Sequence, residues 1–557
     1  MFHFKHAVLA RIKSLVPILL ILVIAIIPIA AGDTLFESSK SLEIYSDVFK
    51  ELNMYYVDDI EPSKLMRTGM DAMLKSLDPY TNFISEAELE GYRFQTTGMY
   101  GGIGAVIRKK DDLVAIIEPY KNSPAYKAGL RAGDLILQVD NQPMKGKSVR
   151  QMSTLLKGQP GTSINLTIKH PITDIIEDIL VTREEIKLDN VPYRGIIDTN
   201  IGYIRLDQFT QNAGANIENA LKALESIRTL KGVILDLRGN PGGLLSEAVN
   251  VCNVFIDRGK PVVSTKGKVK EWDREFKTMR KPVDLQIPLV ILTNHGSASA
   301  SEIVSGTIQD YDRGVILGEL TYGKGLVQQT RDLSYNTKLK LTIAKYYTPS
   351  GRCIQALDYT HRNKDGSVSK IPDSLKTAFK TSNGRVVYDG GGVEPDLHVG
   401  SVELSKIAIS LLQKDLIFDF ATQYYQKHNS ISGPDVFQLT DDDFEAFIAF
   451  ISDKEYGYKT ESEKLLDKLG EALKDENYFD ATETSFSALQ TRIAHDKLKD
   501  LNKFKKQIIE QIKLEIITRY YFRDGRLNAS IQNDPFIKAA KQLFNNPEEY
   551  QKLLSPK

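Results

Sequence analysis

Apolar and polar positions recur along this chain with a changing period, and the changes divide it. After a basic stretch with Lys5, Arg11 and Lys13, an uncharged apolar run extends from Leu15 to Ala31. Basic residues, an apolar core and the small residues Ala30, Ala31 and Gly32 predict an export signal, with an uncleaved membrane anchor as the alternative. From Ser39 to Tyr56 the positions Leu42, Tyr45, Val48, Phe49, Leu52 and Tyr55 follow helical spacing. A second helix is predicted over Pro62–Leu77, leading into L-D-P-Y-T. Strands are predicted at Leu113–Glu118, Leu135–Val139 and Gly161–Ile168, and a helix at Ser148–Leu156. Arg183 to Arg194 reads as a linker. Gly202–Phe209 then alternates as a strand does. Ile217, Ala220, Leu221, Leu224 and Ile227 repeat at helical spacing. The short apolar runs Gly232–Leu237 and Pro288–Thr293 predict buried strands, and Lys338–Thr348 alternates again. This β-α-β order predicts a layered α/β core. Leu357–Val386 is polar and reads as an exposed loop or small hairpin. Beyond Ser401 glycine is rare and the helical period dominates. Phe444, Phe447, Ile448 and Ile451 form one stripe, with Thr440 as N-cap and Asp441–Asp443 in the first turn. Leu501–Tyr521 is a long helix whose Lys503, Lys505, Lys506 and Lys513 predict a solvated face.

Candidate chemistry concentrates between Asn294 and Gln328. The stretch N-H-G-S-A-S-A-S-E-I follows the Pro288–Thr293 strand, so Ser299 stands at a strand-to-helix turn. There a hydroxyl projects from rigid elements, and the N–H groups of a new helix point toward it. Lys324 lies between two glycines, and Gln328 follows it by a step that keeps side chains on one side. Serine, lysine and an amide can serve as nucleophile, base and orienter. Locally, other readings stand. Ser299-x-x-Glu302 is also a capping box. Ser297, Ser301 and Ser305 are close by, and nothing in their spacing selects Ser299. His295 offers a serine–histidine rival, with no acid in its vicinity along the chain to orient it.

S-A-S-A-S-E-I, the serine-to-lysine interval and the G-K-G-L-V-Q run resemble the carboxyl-terminal processing proteases. These are the serine–lysine peptidase family S41, also called tail-specific proteases. The resemblance implies Ser299 as nucleophile, Lys324 as base and Gln328 as the residue orienting the lysine. The R-G-N-P-G-G turn at Arg238–Gly243 resembles the same family. It implies an oxyanion hole from the N–H groups of Gly242, with Gly243 as the alternative, and Ala300. Asp236 and Arg238 would tie that turn in place. Y-G-G-I-G-A-V-I at Tyr100–Ile107 and S-P-A-Y-K-A-G-L-R-A-G-D at Ser123–Asp134 resemble a PDZ domain. That implies a C-terminal carboxylate held at Gly102, Ile103, Gly104 and Ala105, and a tail added as a strand beside the Ser148–Leu156 helix. Lys157 would read the tail's charge or simply complement the helix dipole. P-S-G-R-C-I and G-G-G-V-E-P-D complete the likeness.

The resulting fold class is multidomain α/β and α+β. A PDZ domain and a layered α/β protease core of the ClpP/crotonase type are flanked by helical N- and C-terminal regions. The expected division is 1–32 signal or anchor, 33–97 N-terminal helical region, 98–182 PDZ domain, 183–400 protease core and 401–557 C-terminal helical domain. The chain has 557 residues, with Lys+Arg and Asp+Glu both at 72. A balanced charge argues against a chain-wide nucleic-acid surface. Cys252 and Cys353 are too few for a disulfide framework, and Cys252 falls on an apolar helical stripe. No spacing suggests a metal site, and the chemistry calls for no cofactor. A serine–lysine base must act neutral, which requires burial to bring lysine well below its ordinary value of about 10.4. The expected function is an exported, periplasmic or extracytoplasmic serine endopeptidase that captures C-terminal tails of protein substrates, with attachment to the inner membrane through an uncleaved N-terminal segment as the alternative. Self-association into a homo-oligomer and an adaptor protein for the C-terminal helices fit the amphipathic ends. The alternative is a PDZ-bearing scaffold with a latent or inactive core.

Overall fold

The computed structural model describes residues 36–171, 173–493 and 497–556. The predicted export segment, residues 1–32, lies outside them. Among the described residues no helix is long and apolar enough to cross a membrane.

The chain forms two compact units. The smaller holds the described residues before Ile84 together with Lys338–Leu341. A helix covers residues 36–55 and a second runs Pro62–Lys75. Gly69 is where they touch: a Cβ there would fall 2.5 Å from the Tyr45 hydroxyl. The Asp78 carboxylate closes the L-D-P-Y-T turn by accepting the Tyr80 and Thr81 N–H groups, both at 2.8 Å. The apolar stripe of the first helix stays exposed at Leu42, Val48 and Tyr55.

In the larger unit, the PDZ domain is one antiparallel sheet ordered Ala105–Lys110, Leu113–Pro119, Leu135–Val139, Ser163–Lys169, Ile176–Thr182. The helix Val149–Leu156 plugs it with Met152 and Leu156, packed among Val114, Ile116, Ile136 and Leu166. Ser148 and Gln151 form its capping box. The predicted linker is partly a strand: Glu184–Lys187 pairs with Met99–Gly102. That two-stranded stem carries the chain into and out of the domain side by side.

The protease core is a six-stranded sheet ordered Tyr193–Ile197, Ile201–Arg205, Gly232–Asp236, Leu289–Thr293, Val315–Gly318, Leu397–His398. The first pair is antiparallel and the others are parallel. Parallel strands need cover on both faces. The helices Ala213–Ile227, Leu245–Phe255 and Ala300–Asp310 cover one, through Ile217, Leu221, Cys252 and Val304. Burial pushes the Cys252 thiol up to about 12, so it is an inert core group. The other face is covered from the far end of the chain. Helices Pro535–Asn545 and Pro547–Leu553 set Phe536, Leu543, Phe544 and Tyr550 against Tyr203, Ile234, Val290 and Leu317. Gly232 has no side chain because a Cβ would lie 2.4 Å from the Phe544 ring.

The helical region 401–557 contributes to two cores. Its last two helices pack on the core sheet. Four earlier helices, Lys406–Gln413, Leu416–Lys427, Asp441–Ile451 and Lys505–Ile531, form a bundle of their own around Leu411, Phe420, Phe447 and Ile512. Thr440 caps its helix with Asp443 as predicted. Lys513, expected on a solvated face, is instead 3% exposed, with Glu510 at 3.7 Å. The long helix is interrupted at Phe522, which has φ 55° and ψ −163°.

Candidate active site

The strand Leu289–Thr293 is buried at every position and delivers the chain to Asn294. The helix Ala300–Asp310, likewise buried throughout, starts one residue after Ser299. Between them Ser299 has φ 56° and ψ −111°, a conformation that an L-residue takes only when its surroundings impose it. What imposes it is legible in the neighbouring serines. Ser297 Oγ donates to Leu237 O at 2.8 Å, and Ser301 Oγ to Asn240 O at 2.9 Å. The Ala298 N–H also donates to Asn240 O, at 3.0 Å. Ser297 and Ser301 thus pin the motif onto the turn after Gly232–Asp236. Ser299 stands between them, only half-buried.

That turn is fixed from inside. The fully buried Asp236 carboxylate accepts from Tyr203 Oη at 2.7 Å and from Arg238 Nε and Nη2 at 2.9 and 2.6 Å. Burial alone would raise its pKa, but the Arg238 charge and these bonds win and hold it at about 2. Arg238 reaches on to Asp534 at 2.7 Å. The turn brings Gly242 hard against the serine: a Cβ would lie 2.8 Å from Ser299 Cβ and 2.9 Å from Ala300 N. Its φ of 98° also suits glycine alone. The Gly242 N–H donates to Asn240 Oδ1 at 2.9 Å.

Lys324 sits in the loop between Val315–Gly318 and Leu326–Asp332. The glycines on either side are dictated by packing. A Cβ on Gly323 would fall 2.3 Å from Ala356 Cβ, and one on Gly325 would fall 2.8 Å from Gln355 N. Glu302 joins this loop to the serine. Its Oε2 accepts the Ser299 N–H at 2.8 Å and the Lys324 N–H at 2.9 Å. Its Oε1 accepts the Thr321 hydroxyl at 2.6 Å and the Gly323 N–H at 2.7 Å. Glu302 has no exposed surface, and burial raises its pKa although the four donors act against that. The sequence pattern marks Glu302 as a capping residue, and that half of the role is present. Its second half, holding the lysine loop, has no local signature. On the next strand, Gln328 Nε2 donates to Leu326 O at 3.3 Å and Thr342 Oγ1 at 3.2 Å. His295 is 74% exposed, with Glu319 4.0 Å from its Nε2.

In the PDZ domain, Gly104 has φ 73°, and a Cβ there would meet Ser123 Cβ at 2.5 Å. The carbonyls of Ile103 and Gly104 are taken by the Ala125 and Tyr120 N–H groups, at 2.8 and 2.9 Å. Gly101 and Gly102 lie in the stem strand, and Ala105 begins the edge strand of the sheet. Lys157 Nζ stands over the rings of Tyr100 and Phe94, 5.1 and 5.7 Å from their centroids. The end of the Val149–Leu156 helix is held by Arg183, whose Nη2 donates to Leu155 O at 2.7 Å.

The serine and lysine motifs fall within a recognised sequence family. The profile of peptidase family S41 matches residues 200–361, which include Ser299, Lys324 and Gln328. A PDZ-domain profile matches 116–170. The profile of a probable PDZ-protease C-terminal helical domain matches 407–544. A carboxy-terminal-processing protease of Bartonella bacilliformis is 38% identical over 324 residues, 58% of this chain and 74% of that protein. A probable CtpA-like serine protease of Staphylococcus epidermidis is 36% identical over 324 residues, 57% of this chain and 64% of that one. Among solved structures, a photosystem II D1 C-terminal processing protease aligns at 28% identity with a TM-score of 0.35, over 64% of this chain and 92% of that one. With its PDZ domain, its S41 profile and a relative of this closeness over most of that relative's length, the chain belongs to peptidase family S41, the carboxy-terminal-processing proteases.

Proposed function

We propose that the protein is a serine endopeptidase acting through a Ser299–Lys324 dyad on protein substrates captured by their C-terminal tails. One observation carries this reading. A single buried carboxylate, Glu302, binds the backbone N–H of both Ser299 and Lys324. The backbone of the serine motif is thereby tied to that of the lysine loop, at a serine whose own backbone is strained, which supports a joint role for the two residues.

In the proposed reaction Lys324, in its neutral form, takes the proton from Ser299 Oγ as that oxygen attacks the scissile carbonyl. The proton passes to the leaving amine, and an acyl-enzyme ester remains. Water, deprotonated by the same amine, releases the new C-terminus. Gln328 orients the lysine without adding a charge that would favour ammonium. The oxyanion is held by the Ala300 N–H and by the glycine turn. In this turn the Gly242 N–H faces Asn240 Oδ1, so Gly242 serves once it exchanges that partner for the oxyanion, and Gly243 is the neighbouring donor.

The tail would enter the PDZ domain along the outer edge of Ala105–Lys110 and run beside Val149–Leu156. Its carboxylate would lie at Gly102, Ile103, Gly104 and Ala105. Export to the periplasm, assembly into a homo-oligomer and an adaptor for the helical bundle belong to the same proposal.

The test is turnover of an unfolded model protein by the folded parent, Ser299→Ala and Lys324→Ala. The parent is expected to cut, and each variant to lose at least about 10³-fold in kcat. Full activity in Lys324→Ala would remove the lysine from its role. A folded parent inert toward tails of many sequences would favour the scaffold reading.

A further inference from the structure

The backbone N–H groups of Ser299 and Lys324 share one acceptor, and their carbonyls share one donor. Tyr346 is 1% exposed, at the end of the strand Lys338–Tyr347. Its N–H donates to Gly325 O at 3.0 Å, which registers the strand against the lysine loop. Its hydroxyl lies 2.6 Å from Lys324 O and 3.1 Å from Ser299 O.

A phenol has one proton. Here two carbonyl oxygens, one from each reacting residue, converge on it. Carbonyl dipoles that point at a common spot repel unless positive charge lies between them, and away from water that repulsion is weakly screened. Ser299 O also receives the Glu302 and Ile303 N–H groups at 2.9 Å, as the first acceptor of its helix. Ser299 O is therefore fixed by its helix, whereas the position of Lys324 O depends on how its loop is held. Glu302 ties the two residues through their N–H groups, and Tyr346 closes the ring on the carbonyl side.

We infer that Tyr346 is a positioning residue of this peptidase. Its hydroxyl proton lets the carbonyls of Ser299 and Lys324 approach, and so keeps Lys324 at working distance from Ser299 Oγ. This rests on the Ser299–Lys324 reading and goes beyond it. The Tyr346 hydroxyl meets backbone oxygens of the two reacting residues and lies outside the PDZ groove, so its effect falls on the geometry of attack and not on capture of the tail.

The test uses the full chain. In Tyr346→Phe the ring stays and the proton goes. The expected result is a fall in kcat of about 10- to 100-fold, the range for an acceptor left without its donor in a buried site, with KM unchanged. Labelling of Ser299 by a small fluorophosphonate, which needs no tail, should slow by the same factor per titratable site. Tyr346→p-aminophenylalanine restores a donor at the same place and should recover most of the rate. A merely structural role would lower the melting temperature or the number of titratable sites and leave the rate per site intact, and that result overturns the inference. So does failure of the amino variant, once folded, to exceed the phenylalanine variant. Activity in Ser299→Ala or Lys324→Ala would instead strike at the dyad itself, so the two failures are told apart.

Discussion

Four donors converge on the Glu302 carboxylate, and two of them are the N–H groups of Ser299 and Lys324. Glutamine in its place would keep one oxygen but turn an NH₂ toward two donors. With no solvent to absorb the mismatch, Glu302→Gln should cost about 2–4 kcal/mol of stability and lower kcat about 100-fold or more. Thermal melts and per-site acylation rates measure both. A variant with normal kcat would mean that the loop positions itself. At this scale the sequence is legible in type and not in partnership. Ser299 and Lys324 stand in separate motifs, and only the Glu302 carboxylate between their N–H groups shows how the fold joins them. That Ser297 and Ser301 anchor on Leu237 and Asn240 could not be read, because those acceptors come from another strand-end. Glu302 and Tyr346 were equally hidden. One has the spacing of a cap, the other the alternation of a strand, and each local rule accounts for its residue completely.

The PDZ elements show what periodicity can resolve. Leu135–Val139 falls where predicted, and Val149–Leu156 starts one residue after its predicted start at Ser148, because a half-buried sheet and a one-sided helix leave clear periodicity. Ile176–Thr182 leaves none: Ile176 and Leu180 are exposed and only Val181 is buried. Glu184–Lys187 hides in a polar stretch for the same reason. Between the sheet strands lies a titratable cluster that no motif announces. His170 Nδ1 is 2.7 Å from Asp134 Oδ1, and its Nε2 is 2.7 Å from Glu177 Oε1. Burial would lower the histidine's pKa, but the two carboxylates outweigh it and raise it. A raised folded-state value means that the imidazolium stabilises the domain fully below the unfolded pKa of about 6.5. That contribution is lost as pH rises through the folded value. The domain should therefore lose stability as pH climbs from about 6.5, and His170→Asn should flatten that slope. Hydrogen exchange of Leu135–Val139 and Ser163–Lys169 against pH reads it directly. An unchanged slope in the variant would assign the pH dependence elsewhere.

On the scale of the larger unit, the protease core is completed by the residues furthest from it in sequence. Helical periodicity beyond Ser401 was plain, yet periodicity cannot say which apolar face meets which sheet. Phe536, Ile537, Leu543, Phe544 and Tyr550 cover Tyr203, Ile234, Val290, Leu292 and Leu317. Tyr550 Oη also hydrogen-bonds Leu289 O at 3.0 Å, and Lys231 reaches Asn545 at 2.8 Å. Asp534, which caps the first of these helices, holds Arg238 and through it the turn beside Ser299. Exposing a fully buried large apolar side chain costs about 1.5–3 kcal/mol. With several on each side of the contact, the loss exceeds the roughly 5–15 kcal/mol that a folded protein has in total. A chain ended after Asp534 should therefore lack a folded protease core, although it keeps Ser299, Lys324 and every residue of the family match at 200–361. Loss of the cooperative melt, rapid proteolysis within Gly232–Gly318 and no fluorophosphonate labelling are the expected signs. Removing Ser555–Lys557 alone leaves the side chains of this cluster intact and should leave the melt in place. If the chain ended after Asp534 still melts cooperatively and labels at Ser299, the sheet's second face is stable without these helices. The helices would then be an appendage to the core and not its missing layer.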